Sequence, residues 1–473
     1  MLDNFQQKLQ REAKIWRDEG LISASQYQNL ADRYRFNNLE AAARDRFGVM
    51  VISLGGVLLC LGIITFVAAN WEIWSREVKF ILMISLFIST SIIGFYTWKE
   101  GKSRNNQQQK QPQNKRIVGE GLLILSSFIL GANILLMAQI FNINGSAAEL
   151  FFAWGFGVLV MAYSLSLTSL GLMAIILSQI GYWVGRENFL VSVDDWNWVG
   201  LVVRHMPLLS WLLFVPLAYF CRSRWIFALA ALVFAGTLQL SLNPLPLLNF
   251  ANMAPWVASF ALALPPALFW SYDDLLFPTV NYRLFQPLAR DLALIFFGLV
   301  FYALSFREQW VGSTFNNFVP SNSNNLFMSL PIIDLGILSG LTVLQWLSLL
   351  RLRNNPPRRE VIFTLVVVTT YLGFIIITPF WHLAITRIDE LGSFIFNVLL
   401  AFLASGLIRE GLKLNNRSNF WGGMLLLTMQ IISRAIEYDT DRLFQSLVFV
   451  ICGSALISAG LWFERRLPSG SKS

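Results

Sequence analysis

Long apolar runs separated by short polar segments occupy most of this chain, and they constrain its fold more than any motif does. A helix of about 20 apolar residues is long enough to cross a lipid bilayer. Fourteen runs approach that length, and each is predicted to be a membrane span. The predicted spans are 48–69, 78–98, 117–141, 150–166, 169–185, 206–220, 225–242, 254–271, 291–307, 329–350, 361–380, 392–409, 419–436 and 444–463.

The composition excludes the main alternatives to a membrane protein. Of 473 residues, 55% are hydrophobic and 14% are charged, whereas a soluble domain carries about 25% charged residues. The apolar content is too high for a disordered chain, and three cysteines are too few for a disulfide scaffold. We therefore predict an all-α fold, a polytopic bundle of about fourteen transmembrane helices in contact with the lipid bilayer.

The distribution of basic residues predicts the orientation of the spans. With fourteen spans and a cytoplasmic N-terminus, 28 of the 36 Lys and Arg residues lie on the cytoplasmic side. Basic residues are retained on that side during insertion, so both termini are predicted to be cytoplasmic. The net charge of +8 is then explained without a nucleic-acid partner. Most of the basic residues lie in cytoplasmic segments, where they orient the spans and can contact anionic lipid headgroups.

The segment Ser166–Ser169 is the weakest point in this count. If the two short runs around it form one long helix, every later loop changes sides and the tally becomes 20 against 16. That distribution has almost no bias, so two spans joined by a tight turn are favoured.

Four regions follow from this pattern. Residues 1–46 are predicted to form a cytoplasmic amphipathic helical hairpin, with Gly20 ending the first helix and a capping box from Ser23 to Gln26 starting the second. Two membrane regions, 47–185 with about five spans and 186–465 with about nine, precede a cytoplasmic tail at 466–473. The polar stretch 101–116 is predicted to be a disordered linker within the first membrane region.

Three stretches, taken together, resemble the DUF2157 family of bacterial integral membrane proteins. They are Trp16–Leu30, Gly55–Trp71 with its terminal Ala-Ala-Asn-Trp, and Gly131–Phe141 with its Gly-Ala-Asn and Ala-Gln pairs, followed by Trp154. The resemblance covers about residues 5–185. It implies a location in the bacterial inner membrane. The family has no known function, so the resemblance implies no activity.

Polar side chains inside predicted spans are the places to look for function, because an unpaired one costs several kcal/mol in hydrocarbon. One set lies toward the outward ends of spans one and three and is predicted to line a polar pocket open to the exterior. Ordinary hydrogen bonds between helices and an interfacial aromatic belt are the alternative. The set consists of Asn70, Trp71, Asn133, Gln139, Asn142 and Trp154.

A second set lies on one face of span thirteen at its outward end, at spacings of four, three and four residues: Gln430, Arg434, Glu437 and Asp441. Arg434 and Glu437 are spaced to form an ion pair, and the alternative is that both reach water at the end of the span. Asp334 stands alone in span ten, where its carboxylate either carries a proton or meets Arg434. The pattern Gly336–Gly340 after it predicts close contact with another helix.

No recognisable enzyme or cofactor motif is present. The chain lacks a Walker loop, a dinucleotide fingerprint, a His-Glu-x-x-His pair and a nucleophile elbow. Its two histidines, His205 and His382, have no ligand partner at metal spacing. We therefore predict no metal and no cofactor, and favour a non-enzymatic role. An intramembrane enzyme built from scattered polar residues stays open.

Two classes of function remain. Many spans, helices interrupted by Pro216, Pro265 and Pro266, and the outward polar residues indicate a secondary transporter or a lipid-handling carrier. The alternative is a non-catalytic scaffold or envelope-stress component that binds a protein partner through residues 1–36. Substrate, energy coupling and oligomeric state are not determined by these patterns.

Overall fold

The computed structural model describes most of the membrane region and parts of the N-terminal segment. The described residues are 73–104, 112–191, 198–242, 255–273, 284–311, 332–351, 359–438 and 441–466, with Leu58, Thr65, Pro244 and several residues between 12 and 30. Within them every regular element is helical and no strand occurs.

Fourteen α-helices follow residue 73 in the described part of the chain. They are α1 (Arg76–Arg104), α2 (Pro112–Ile140), α3 (Ala147–Leu165), α4 (Thr168–Val191), α5 (Trp198–Arg204), α6 (Met206–Cys221), α7 (Arg224–Leu242), α8 (Pro255–Ser271), α9 (Gln286–Leu304), α10 (Ile332–Arg351), α11 (Arg359–Ala384), α12 (Asp389–Leu414), α13 (Arg417–Glu437) and α14 (Arg442–Arg466). A short 3₁₀ helix covers Arg307–Gln309.

The helices agree in position with the predicted spans. Each predicted span after the first coincides with one helix of ten or more residues, and 48–69 lies largely outside the described residues. Nine of the described helices are long and apolar enough to cross a membrane, and a tenth span arises if the bent pair α5–α6 crosses as one unit. The all-α membrane fold is therefore confirmed. Crossing by α8, α10 and α13, which are shorter or less apolar, stays a prediction.

Ser166 separates α3 from α4, as the two-span alternative requires. Its backbone adopts a left-handed conformation, with φ 53° and ψ 42°, which ends a helix and reverses the chain. The two helices then pack antiparallel. A Cβ on Gly181 would lie 3.1 Å from the Phe152 ring, and one on Gly155 would lie 3.0 Å from Oγ of Ser178. One long helix across this segment is thus excluded.

Helix ends that the alternating topology places on the same side also meet in the structure. The hydroxyl groups of Tyr219 and Tyr272, near the ends of α6 and α8, are 2.7 Å apart. Those of Tyr182 and Ser241, near the ends of α4 and α7, are 3.4 Å apart. In both pairs the contacting hydroxyl groups lie near the C-terminal ends of the two helices.

Helix α8 forms the centre of the bundle, where it packs against α7, α9, α10 and α11. Thirteen of its 17 residues are buried, among them Pro265 and Pro266. A proline has no backbone N–H, so Pro265 leaves the carbonyl of Ala261 without its usual helical donor. The side-chain amide of Gln239, on α7, donates a hydrogen bond to that carbonyl oxygen. The Ala261 carbonyl, which Pro265 leaves without a donor, therefore receives its hydrogen bond from a neighbouring helix.

The turn of the N-terminal hairpin has the predicted geometry. Gly20 has φ +76°, and the N–H of Leu21 donates to the carbonyl of Trp16 at 2.8 Å. The capping box is formed in both directions, because the N–H of Ser23 donates to Oε1 of Gln26 and the N–H of Gln26 donates to Oγ of Ser23.

The predicted linker 101–116 is helical at both ends, which corrects that prediction in part. Helix α1 continues to Arg104 and α2 begins at Pro112. No proline interrupts 101–104, and a proline suits the first position of a helix because no N–H is needed there. Residues 105–111 lie outside the described part of the chain.

Candidate functional site

His205 and Asp334 form a hydrogen-bonded pair at a sharp break between two helices. Helices α5 and α6 are bent by 76° at His205, and Nδ1 of His205 lies 2.7 Å from Oδ1 of Asp334 in the first turn of α10. The Asp334 side chain is fully buried, whereas 24% of the His205 side chain is exposed. A partly exposed imidazole is thus joined to a fully buried carboxyl group.

The local sequence explains this break. Pro207 lies in the first turn of α6, where a missing N–H costs nothing, and His205 before the helix has a non-helical backbone. The carboxylate of Asp334 consequently faces the N-terminus of α6, whose dipole favours a negative charge. Oδ2 of Asp334 is buried and has no hydrogen-bond partner in the described structure. The backbone N–H of Leu208, in the first turn of α6, also interacts with this carboxyl group.

The second polar region, which we call the Ser305 cluster, comprises Ser305, Ser393, Asn397, Gln430, Arg434 and Glu437. Its centre is the carbonyl oxygen of Ser305, just after the last residue of α9. This oxygen accepts hydrogen bonds from Oγ of Ser393 at 2.6 Å, Nδ2 of Asn397 at 3.0 Å and Nη1 of Arg434 at 2.7 Å. The end of α9 is thereby tied to α12 and α13.

Arg434 and Glu437 form the predicted ion pair. Only 16% and 12% of their side chains are exposed, so neither reaches freely into water. The Arg434 guanidinium also lies 4.5 Å from the centre of the Phe306 ring, and Oε1 of Glu437 accepts the N–H of Arg307 at 2.7 Å. Both charges are therefore used within the protein, as expected of a structural clamp.

Gln430 completes this cluster. Its Nε2 donates to the backbone carbonyl of Asn397 at 2.7 Å, which links α12 and α13 one turn deeper than Arg434 does. The prediction that Asp334 meets Arg434 is wrong, because the partner of Asp334 is His205 and no described contact joins Asp334 to Arg434. The prediction of close helix contact at Gly336 and Gly340 is also wrong for the described residues. No atom of another helix lies within 4 Å of a Cβ added at either glycine.

The first predicted polar set does not converge in the described structure. Asn133 is buried with 6% exposure, whereas Gln139 and Asn142 are exposed. Asn142 has φ 49° and ends α2, with the N–H of Ile143 donating to the carbonyl of Ala138. That geometry is a helix C-cap. Asn70 and Trp71 lie outside the described residues.

Trp154 of this set has a packing role. Its ring lies against Gly131, where an added Cβ would come within 2.4 Å, and its indole N–H donates to the carbonyl of Ser127 at 2.7 Å. The Gly-Ala-Asn stretch that begins at Gly131 is therefore the place where α2 accepts the ring of a residue on α3.

An apolar groove of about 390 Å³ lies between α11 and α12. Its lining includes Gly373, Ile377, Trp381 and Leu391, so it offers little to a polar solute. No group of three potential metal-binding side chains occurs among the residues that the structure describes.

Sequence reasoning missed the partner of Asp334 and the whole role of Ser305. His205 and Asp334 are 129 positions apart, and so are Ser305 and Arg434. No local spacing indicated what the imidazole would contact.

One comparison with known proteins gives a match. The model of the DUF2157 family, described as a predicted membrane protein, matches residues 14–171. No curated protein and no solved structure matches the chain. The match confirms the resemblance and covers the N-terminal hairpin through the start of α4. Residues 14–171 of this multi-pass membrane protein are therefore similar to the DUF2157 family.

Proposed function

We propose that this protein is a secondary transporter in which the His205–Asp334 pair takes up and releases a proton during transport. The observation that carries the proposal is the 2.7 Å hydrogen bond between a partly exposed imidazole and a fully buried carboxyl group at the break between α5 and α6. A buried ionisable group in a membrane bundle is costly and marks ion or proton routes in such proteins.

The position of the pair supports transport over a purely structural role. Substrate and ion sites in secondary transporters are built where a membrane helix is interrupted, because the break frees backbone groups and lets the helix ends move. His205 lies at such a break and Asp334 faces the end of α6. A carboxylate that only capped α6 would need no imidazole, and histidine is the side chain that changes charge most readily near neutral pH.

A pH-jump measurement tests the proposal without knowledge of the substrate. The purified protein, in liposomes adsorbed to a solid-supported membrane, is exposed to a step from pH 8 to pH 6. We expect a transient charge movement that empty liposomes lack, and expect its loss in the Asp334→Asn variant. Asp441→Asn is the matched control, because that aspartate is exposed. A wild-type signal equal to that of empty liposomes, or one that Asp334→Asn leaves unchanged, rejects the proposal.

A lipid-handling carrier is the second candidate, and the groove between α11 and α12 favours it. Its lining is apolar and its volume is about 390 Å³, which suits part of an acyl chain. An added Cβ on Gly373 has no neighbour within 4 Å and Gly373 lines the groove, so the side chain of Gly373→Leu is expected to occupy part of the groove. Loss of co-purifying lipid in this variant, measured by native mass spectrometry, supports lipid handling, and unchanged lipid counts against it.

We further propose that the protein lies in the bacterial inner membrane with both termini in the cytoplasm. The excess of basic residues in the cytoplasmic segments of the fourteen-span arrangement, 28 of 36, supports this orientation. A protein partner for residues 1–36 stays a prediction. Deleting those residues should abolish co-purification of a specific partner, and unchanged co-purification contradicts the scaffold role.

A further inference from the structure

One face of α10 is buried and polar. Asp334, Leu338, Thr342 and Gln345 follow each other at spacings of four, four and three residues, so they lie on one side of the helix. Their exposures are 0%, 1%, 6% and 2%. Leu335 is buried as well, with 5% exposure, so three of the five described side chains that α10 buries are polar.

The opposite face of α10 is apolar and exposed. Ile337, Val343 and Leu344 have exposures of 50%, 57% and 68%. This arrangement reverses that of a soluble amphipathic helix and matches a membrane helix with lipid on one side and a polar interior on the other. Polar and ionisable residues of membrane helices typically face the bundle interior or a water-filled cavity and mark routes for solutes.

Both ends of this polar face contact helices that carry prolines. At one end Asp334 meets His205 at the break before α6. At the other end Oγ of Ser271 donates to Oε1 of Gln345 at 3.0 Å, and Ser271 ends α8, which contains Pro265 and Pro266. Eleven residues separate Asp334 from Gln345, a rise of about 16 Å. The face therefore covers about half of a hydrocarbon core that is about 30 Å thick.

We propose that this face of α10 lines the solute path of the carrier and that the path admits a small cationic solute. The inference rests on the transporter function proposed above. Asp334 is the single acidic residue among the four, and an acidic group in a low-dielectric passage attracts cations and repels anions. Two basic groups face it, His205 at 2.7 Å and the more distant Arg204, so this attraction operates when the imidazole is neutral. Thr342 and Gln345 supply uncharged hydrogen-bonding groups further along. The path is closed in the described conformation, since all four side chains are buried.

Cysteine accessibility along α10 tests this proposal. Single cysteines replace Leu338, Thr342 or Gln345 in a background in which Cys60, Cys221 and Cys452 are serine. The full-length protein in liposomes is treated with membrane-impermeant methanethiosulfonate reagents. We expect reaction at least about tenfold faster at these positions than at the controls Ile337→Cys, Val343→Cys and Leu344→Cys, which face the exposed side. Equal rates on the two faces overturn the path.

The charge of the reagent tests the solute class. At Leu338→Cys, one turn from Asp334, a trimethylammonium reagent should react faster than a sulfonate reagent after each rate is divided by its rate with a free thiol. Adding Asp334→Asn should remove that preference. A sulfonate reagent that reacts as fast as the cationic one overturns the assignment to cations.

The three positions protect the test against misfolding, because any one that elutes as a monodisperse protein in detergent decides the outcome. Failure of this inference is separable from failure of the transporter proposal. Unreactive cysteines together with a pH-jump signal that needs Asp334 reject the path and leave the proton site standing. Reactive cysteines without that signal reject the proton site.

Discussion

The guanidinium group of Arg434, on α13, donates to the backbone carbonyl of Ser305 at the end of α9, with 2.7 Å between Nη1 and the oxygen. The same guanidinium pairs with Glu437. The negative end of the α9 dipole and the Glu437 carboxylate thus both contact the half-buried Arg434 guanidinium.

Removing Arg434 should destabilise the protein, because the largely buried carboxylate of Glu437 would lose its cationic partner and keep only the N–H of Arg307. We expect Arg434→Ala to lower the free energy of unfolding by about 3–5 kcal/mol. Thermal unfolding of the detergent-solubilised protein measures the change. The double variant Arg434→Ala, Glu437→Ala should lose less than the sum of the single variants. Additive losses would show that the pair is not coupled.

Gly131 should not tolerate a methyl group. An added Cβ there would lie 2.4 Å from the Trp154 ring, so the ring has to move from its packed position. Gly131→Ala is expected to cost about 1–3 kcal/mol in thermal unfolding. Gly121→Ala on the same helix is the matched control, because no atom lies within 4 Å of its added Cβ. Equal stability of the two variants would contradict the packing of Trp154 on Gly131.

Gln239 and Pro265 should be coupled energetically. Gln239→Leu leaves the Ala261 carbonyl without its donor and should cost about 1–3 kcal/mol. In a Pro265→Ala background the helix supplies its own N–H to that carbonyl, so the same substitution should cost less. The comparison uses thermal unfolding of the four proteins of the double-mutant cycle. An identical cost in both backgrounds would mean that Gln239 acts elsewhere.

Asn142 should behave as a helix cap and not as part of a polar pocket. Its φ of 49° suits glycine and disfavours a β-branched side chain. Asn142→Gly is expected to leave the melting temperature unchanged or higher, while Asn142→Val should cost about 1–2 kcal/mol. A loss of stability in Asn142→Gly as large as in Asn142→Val would point instead to a role of the amide side chain.

The two termini should lie on the same side of the membrane. The break at Ser166 favours two spans over one at that point, and the fourteen predicted spans are an even number. Reporter fusions at residues 1 and 473 that are active in one compartment are therefore expected to report the same side. Opposite results for the two fusions would require one crossing more or fewer.

Several local features of this protein were predictable because neighbours along the chain produce them. The run 225–242 was predicted as a span and forms α7 (Arg224–Leu242). The three-residue spacing of Arg434 and Glu437 brings them together on any helix. The capping box at Ser23 likewise depends on residues within one turn.

Contacts between distant helices had no such signal. The sequence analysis offered Arg434 as an ionisable partner of Asp334. In the folded chain the partner is His205 instead. Ser305 carried no signal at all, yet its carbonyl receives three side-chain donors from α12 and α13. Hydropathy and charge specify which segments enter the membrane and in which direction. They do not specify the rotation of each helix about its own axis. That rotation is set by packing between helices, and it decides which polar groups meet.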